Sequence, residues 1–189
     1  MTKRSSKVRY LLYVSYFSRS TRVLILRSTT VGSFCAGADL VERRTMSAIQ
    51  VANFLSNLRD TLGKLESLPL PTIAAIDGPA LGGGLELSLA CDLRVAGENT
   101  FVRVQSLTDL PLGHSVSKIG LPETSLGIIP GAGGTQRVTR LLGPSKAKDL
   151  IYTARTLTAT EAHKFGMLYY DSASYSIILQ TSDSNPRSN

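Results

Sequence analysis

Short apolar runs alternate with helical segments along most of the chain. Three runs predict buried strands: Val23–Leu26, Thr72–Ile76 and Leu93–Ala96. Between the first two runs, apolar residues recur at a helical period from about Met46 to Leu68. Ser47 is a suitable N-cap for this helix, and Pro69 ends it.

The second half of the chain carries further helical segments, and glycines precede two of them. The predicted helices are one that Gly82–Gly84 open and that runs to about Ala90, then Thr135–Leu142, Ser145–Thr153 and, capped by Thr158, Ala159–Phe165. Strands that alternate with helices predict an α/β fold with largely parallel pairing. The periodicity fades after Met167, so we expect residues 168–189 to be a weakly ordered tail.

Composition excludes several classes of protein. The 189 residues are 42% hydrophobic and 19% charged, which excludes a wholly disordered chain. No apolar run approaches the roughly 20 residues of a membrane span, and two cysteines cannot build a disulfide scaffold.

The formal net charge of +7 first suggests a nucleic-acid partner. Residues 1–38, however, hold seven basic and no acidic residues, while the rest of the chain holds 14 of each. Five of these seven basic residues lie within residues 1–21, which are interpreted either as a mitochondrial presequence or as a flexible or misassigned start.

Candidate chemistry is concentrated at glycine-rich junctions between strands and helices. Gly82–Gly84 open a helix, where free backbone N–H groups can form an oxyanion hole. Glu86 lies on the same helix in an apolar setting, which raises a carboxyl pKa toward the range useful for proton transfer. Glu123 stands beside a second glycine-rich junction. Two carboxylates beside such donors suggest acid–base chemistry on a carbonyl compound.

Other site types are not supported. Neither glycine run is followed by the Lys-Ser/Thr of a phosphate-binding loop, and a dinucleotide-binding glycine pattern is absent. His114 and His163 are isolated, and Cys35 and Cys91 lack metal-ligand spacing, so we expect no metal.

Several ordered motifs together resemble the crotonase (enoyl-CoA hydratase/isomerase) superfamily. They include Phe34-Cys35-Ala36-Gly37-Ala38-Asp39-Leu40, Ala80–Leu87, Cys91–Ala96, Pro122-Glu123 and Leu126–Arg137. The sequences of these motifs are most similar to those of the methylglutaconyl-CoA hydratase branch, which includes AU-rich-RNA-binding members. The resemblance covers residues 22–167 and implies a core of repeated ββα units arranged as a spiral.

The resemblance also implies a function and a set of site residues. The activity is addition of water to an α,β-unsaturated acyl-CoA, in fatty-acid or branched-chain amino-acid breakdown, with mitochondrial localisation. The Ala38 and Gly83 N–H groups would hold the thioester oxygen, and Glu86 and Glu123 would share the water. No separate cofactor is implied, because coenzyme A is part of the substrate. The implied substrate-binding residues are Phe34, Ala36, Gly37, Asp39, Leu40, Gly82, Pro130 and Gly131.

Parts of the chain depart from the family pattern. Residues 101–117 have no family counterpart, and we hypothesise a translated intron or variant exon there. The family's opening strand and first helix, and the C-terminal helices that build its trimers, have no match. The alternatives are therefore an impaired variant that binds RNA, through Arg59 and Lys64, or assembles with other subunits, and an enoyl-CoA isomerase.

Overall fold

The computed structural model describes residues 21–30, 32–97 and 118–169. The predicted insert at 101–117, most of the basic start and nearly all of the predicted tail lie outside these ranges. In chain order the elements are β1 (Leu24–Arg27), α1 (Leu40–Arg44), α2 (Ala48–Glu66), β2 (Thr72–Ile76), β3 (Ala80–Leu81), α3 (Gly83–Leu89), β4 (Leu93–Ala96), β5 (Ile119–Gly120), a 3₁₀ helix (Pro122–Leu126), α4 (Gly134–Leu142), α5 (Pro144–Thr153), β6 (Thr156–Leu157) and α6 (Ala159–Phe165).

A parallel three-stranded sheet forms one layer of the fold. Its strand order is β1-β2-β4, with Leu24 paired to Thr72 and Ile73 paired to Leu93. All three predicted strands are present, which confirms the α/β class. The first strand begins one residue later than expected and ends at Arg27, since the pairing with β2 runs from Leu24 to Arg27. Val23 lies outside the ladder and is 42% exposed.

A second, smaller sheet has the order β3-β5-β6. Each of its strands has two residues, β3 pairs with β5 in parallel, and β5 pairs with β6 in the antiparallel direction. Two-residue strands carry no readable periodicity, so the sequence did not predict this sheet.

The local sequence explains where the helices begin. Ser47 and Gln50 form a reciprocal capping box at the start of α2, which confirms the predicted N-cap. The short helix α1 was not predicted, since its five residues carry no apolar stripe. It begins because the Asp39 carboxylate accepts hydrogen bonds from the N–H groups of Val41 and Glu42, at 2.9 and 3.3 Å.

The core is one large cluster of buried side chains that come from both sheets and from the helices α2 to α6. Its largest fully buried side chains include Ile76, Leu85, Ile119, Leu121, Leu150 and Met167. Arg94 on β4 is 3% exposed and donates to the carbonyl oxygens of Cys91, at 2.7 Å, and Met167, at 3.0 Å. The arginine therefore ties the end of α3 to the chain after α6. None of the helices within the described ranges is long and apolar enough to cross a membrane.

Helix α3 approaches the Cys35 backbone so closely that only glycine fits at position 84. A Cβ there would lie 2.6 Å from the Cys35 carbonyl carbon and 2.9 Å from its Cβ. At Gly63 on α2, by contrast, a Cβ would meet nothing within 4 Å. Both glycines lie within helices, but only Gly84 has backbone atoms where a Cβ would be placed.

We expect Gly84→Ala to lower the free energy of unfolding by about 1–3 kcal/mol or more, since the methyl group overpacks this contact. Gly63→Ala should raise it by about 0.5–1 kcal/mol, because alanine is the better helix former. Urea unfolding of both variants measures the difference. Equal effects from the two substitutions would contradict the close approach.

Candidate active site

A cavity of about 200 Å³, open to solvent, lies between α2, α3 and the 3₁₀ helix. Nine of the twelve site residues predicted from the sequence line it: Ala36, Gly37, Ala38, Leu40, Gly82, Gly83, Glu86, Glu123 and Gly131. Residues from four separate segments of the chain are thus brought to one cavity.

The segments Cys35–Ala38 and Leu81–Gly83 run side by side at this cavity. Leu81 donates its N–H to Cys35 O at 3.0 Å, and Gly82 donates its N–H to Gly120 O at 3.0 Å. Gly82 has a φ of +53°, a conformation that glycine adopts readily. A Cβ built on Gly83 would lie 3.8 Å from the Ala38 nitrogen, so these two residues are close neighbours.

Gly83 is also the first residue of α3. The N–H groups in the first turn of a helix have no intrahelical acceptor. The N–H of Gly83 is therefore available to a ligand beside Ala38. This arrangement can stabilise a developing negative charge on an oxygen atom.

Glu86 is buried beside these N–H groups and is fixed at one oxygen. Its side chain is only 3% exposed, and Oε1 accepts hydrogen bonds from the N–H groups of Ala132 and Gly134, both at 2.8 Å. Oε2 lies 3.9 Å from the position that a Cβ would take on Gly83. Burial raises the pKa of Glu86, and the two N–H bonds oppose this.

Glu123 approaches the same place from the 3₁₀ helix. Its Oε1 lies 3.0 Å from the position of a Cβ on Gly82, so a side chain at that position would press against this carboxylate. Its Oε2 is buried without a hydrogen-bond partner among the described residues. Burial raises the pKa of Glu123 to about 7, and the negative charge of Glu86 also raises it.

The rest of the lining is largely apolar and comes from residues that the site prediction omitted. Helix α2 contributes Phe54, Leu55, Leu58, Thr61 and Leu62. The helical period over Met46–Leu68 predicts an apolar face on this helix, but it does not show that the face lines a cavity. Arg43 on α1 is a lining cation, and it was not predicted because α1 was not.

Three predicted substrate-binding residues do not line the cavity. Phe34 packs in the core at 8% exposure, Asp39 caps α1, and Pro130 is buried beside Gly134. Their contact with coenzyme A stays a prediction. Within residues 21–30, 32–97 and 118–169 no group of three or more His, Cys, Asp or Glu side chains could hold a metal ion.

The two residues of the RNA-binding alternative occupy different surroundings. Arg59 donates from Nη1 to Gly131 O at 3.1 Å, so it contacts the loop behind Glu86. Lys64 is exposed one turn further along α2. The two cations therefore do not form a shared free basic surface.

Comparison with known proteins agrees with this geometry. The chain matches the enoyl-CoA hydratase/isomerase family over residues 15–106 and 102–170. An enoyl-CoA isomerase/hydratase of Mycosarcoma maydis is 56% identical over 147 residues, which cover 78% of this chain and 47% of that protein. Human mitochondrial methylglutaconyl-CoA hydratase is 49% identical over 150 residues, covering 79% of this chain and 39% of that protein.

The crystal structure of an enoyl-CoA hydratase from Bacillus anthracis superposes with a TM-score of 0.73 at 44% identity, covering 87% of this chain and 58% of that one. The chain thus spans about half the length of the curated relatives that it matches. The family match extends over more than half of the chain, and the fold agrees with it. The chain belongs to the enoyl-CoA hydratase/isomerase family, and its fold is the crotonase fold.

Proposed function

We propose that this chain adds water across the α,β double bond of an enoyl-CoA thioester. The observation that carries the proposal is that two buried carboxylates and the neighbouring residues Ala38 and Gly83 line one largely apolar cavity. Such a cavity accepts an acyl chain, and its polar groups are few and are gathered at one end.

The N–H groups of Ala38 and Gly83 would hold the thioester oxygen. When hydroxide adds to the β-carbon, electron density moves through the α-carbon onto this oxygen, which becomes an enolate. Two preorganised N–H donors stabilise that charge without reorganisation during the reaction. Removing one such donor typically costs about 10²–10³-fold in rate.

The surroundings of the two glutamates support a division of roles that the sequence left open. Glu86 receives two N–H hydrogen bonds at Oε1, and these favour its ionised form. We assign it as the base that takes a proton from water. Glu123 has a pKa of about 7 because of its burial, so a large fraction of it is protonated near neutral pH. We assign it as the acid that protonates the α-carbon.

The substrate and the compartment are also proposals. The similarity to a methylglutaconyl-CoA hydratase and to an isomerase/hydratase supports enoyl-CoA thioesters, including 3-methylglutaconyl-CoA, as substrates. The proposed steps need no cofactor beyond the coenzyme A of the substrate. The human relative is mitochondrial by name, and together with the basic residues 1–21 this supports a mitochondrial location.

We expect the full chain to hydrate crotonyl-CoA and 3-methylglutaconyl-CoA. Glu86→Gln and Glu123→Gln should each lower kcat by about 10²–10⁴-fold, since each removes one proton-transfer group. The decrease in absorbance of the conjugated enoyl thioester measures the rate. A parallel assay with a 3-enoyl-CoA distinguishes isomerisation from hydration.

The matched control is Glu42→Gln, because Glu42 is an exposed glutamate on α1 outside the cavity lining. It should retain the wild-type rate. A folded wild-type chain that is as inert as both active-site variants would refute the proposed reaction for this chain.

A second prediction concerns stability and does not depend on turnover. The pKa of Glu123 is about 7 in the folded chain, against a reference value of 4.5. The folded state therefore favours the protonated acid. Its stabilising contribution is complete below about pH 4.5 and is lost as pH rises through about 7.

Relative to Glu123→Gln, which does not titrate there, the wild type should lose unfolding free energy between about pH 4.5 and 7 and then level off. Urea unfolding of both proteins at intervals from pH 4.5 to 8 measures this. A difference between them that does not change with pH would contradict the raised pKa.

A further inference from the structure

The loop of residues 131–134 is held by two arginines from two different helices. Arg59 on α2 donates from Nη1 to Gly131 O at 3.1 Å. Arg137 on α4 donates from Nη1 to Ala132 O at 3.0 Å. The two acceptors are consecutive carbonyl groups, so both helices hold the loop by the same short stretch of backbone.

The same loop holds Glu86 through its N–H groups. Ala132 and Gly134 each donate to Glu86 Oε1 at 2.8 Å. The Gly131 carbonyl and the Ala132 N–H belong to one planar peptide unit. Arg59 and Glu86 therefore bind the two ends of a single peptide group, and a hydrogen bond at its oxygen strengthens the one at its N–H.

Arg137 is itself fixed in place. Its Nε and Nη2 both donate to Glu66 Oε2, at 3.0 and 2.8 Å, and its side chain is 11% exposed. This pair leaves Nη1 directed at Ala132 O. A Cβ on Gly133 would collide with the same nitrogen, so the guanidinium packs directly against the loop.

We propose that Arg59 and Arg137 are positioning residues that hold the N–H groups of Ala132 and Gly134 on Glu86. Neither arginine needs to touch the substrate. For its effect on turnover, the inference rests on the proposed role of Glu86 as the base. Loss of either arginine lets the loop move, weakens the N–H bonds to Oε1 and makes the carboxylate harder to ionise.

Other charged groups also act on Glu86 and must be separated from the arginines. Glu123 faces it from the 3₁₀ helix, and Arg43 acts on it from α1. Arg137 adds its own positive charge to its hydrogen bond with the loop. Arg137→Lys separates these two effects, because lysine keeps the charge but cannot bond Glu66 and Ala132 through a planar fork.

The test is the pKa of Glu86, measured in the full chain by NMR of ¹³C-labelled glutamate carboxyl groups, together with kcat and KM. Arg59→Met and Arg137→Met should each raise this pKa by about 0.5–1 unit, since both weaken hydrogen bonds to the charged form. Each should lower kcat by about 10-fold with KM nearly unchanged. Arg137→Lys should keep part of the rise in the Glu86 pKa, because it restores the charge but not the fork.

Arg140→Met is the control, since Arg140 lies on the same helix at 72% exposure and, among the described residues, makes only a 3.9 Å contact with Glu66 and no hydrogen bond to the loop. It should leave the pKa unchanged. Arg59 is exposed, so Arg59→Met keeps the fold and decides the question even where Arg137→Met unfolds.

An unchanged Glu86 pKa in Arg59→Met overturns the positioning role. If the Glu86 pKa of Arg137→Lys equals the wild-type value, Arg137 acts by its charge alone, and its positioning role is overturned. A shifted pKa in a chain without hydratase activity supports the positioning and refutes the proposed function. Normal hydration with an unshifted Glu86 pKa supports the proposed function and refutes the positioning role.

Discussion

The site depends on a carboxylate that is buried and must therefore be hydrogen-bonded. Glu86 is 3% exposed, and an ionised carboxylate without partners at that depth would be too costly to keep. Its two N–H donors, Ala132 and Gly134, lie 46 and 48 positions after it in the sequence. Satisfying this one side chain thus fixes the position of the loop after the 3₁₀ helix relative to α3.

The close backbone contacts follow from the same requirement. Glycine at 134 leaves room for Glu86, since a Cβ there would lie 2.8 Å from Cγ. Glycine at 84 lets α3 approach the Cys35 segment, which brings Ala38 beside Gly83. The glycines act here by being small, so that backbone N–H groups and carboxylates can occupy one small volume.

Sequence patterns predicted the parts of the fold that carry a period or a cap. The three strands of the parallel sheet, the N-cap at Ser47 and the helices after Gly133 all appear close to their expected bounds. Helix α1 and the two-residue strands were missed, because their formation depends on Asp39 and on partners distant in sequence.

The site was predicted in part for a similar reason. Glu86 and the glycine junctions stood out by residue type, and the structure brings them to one cavity. The contribution of Arg59 could not be found, since its contact with Gly131 spans 72 positions and has no local signal. Asp39 is the opposite case. It lies inside a recognisable motif and was predicted to bind substrate, but in the structure its side chain caps the start of α1.

The most direct test of the account is the vibrational spectrum of a bound substrate. Crotonyl-CoA labelled with ¹³C at the thioester carbon, bound to the Glu86→Gln/Glu123→Gln double variant, is held without being consumed. The account predicts a carbonyl stretching frequency clearly lower than in solution, because the N–H groups of Ala38 and Gly83 polarise this bond. An unshifted frequency at saturation would contradict it.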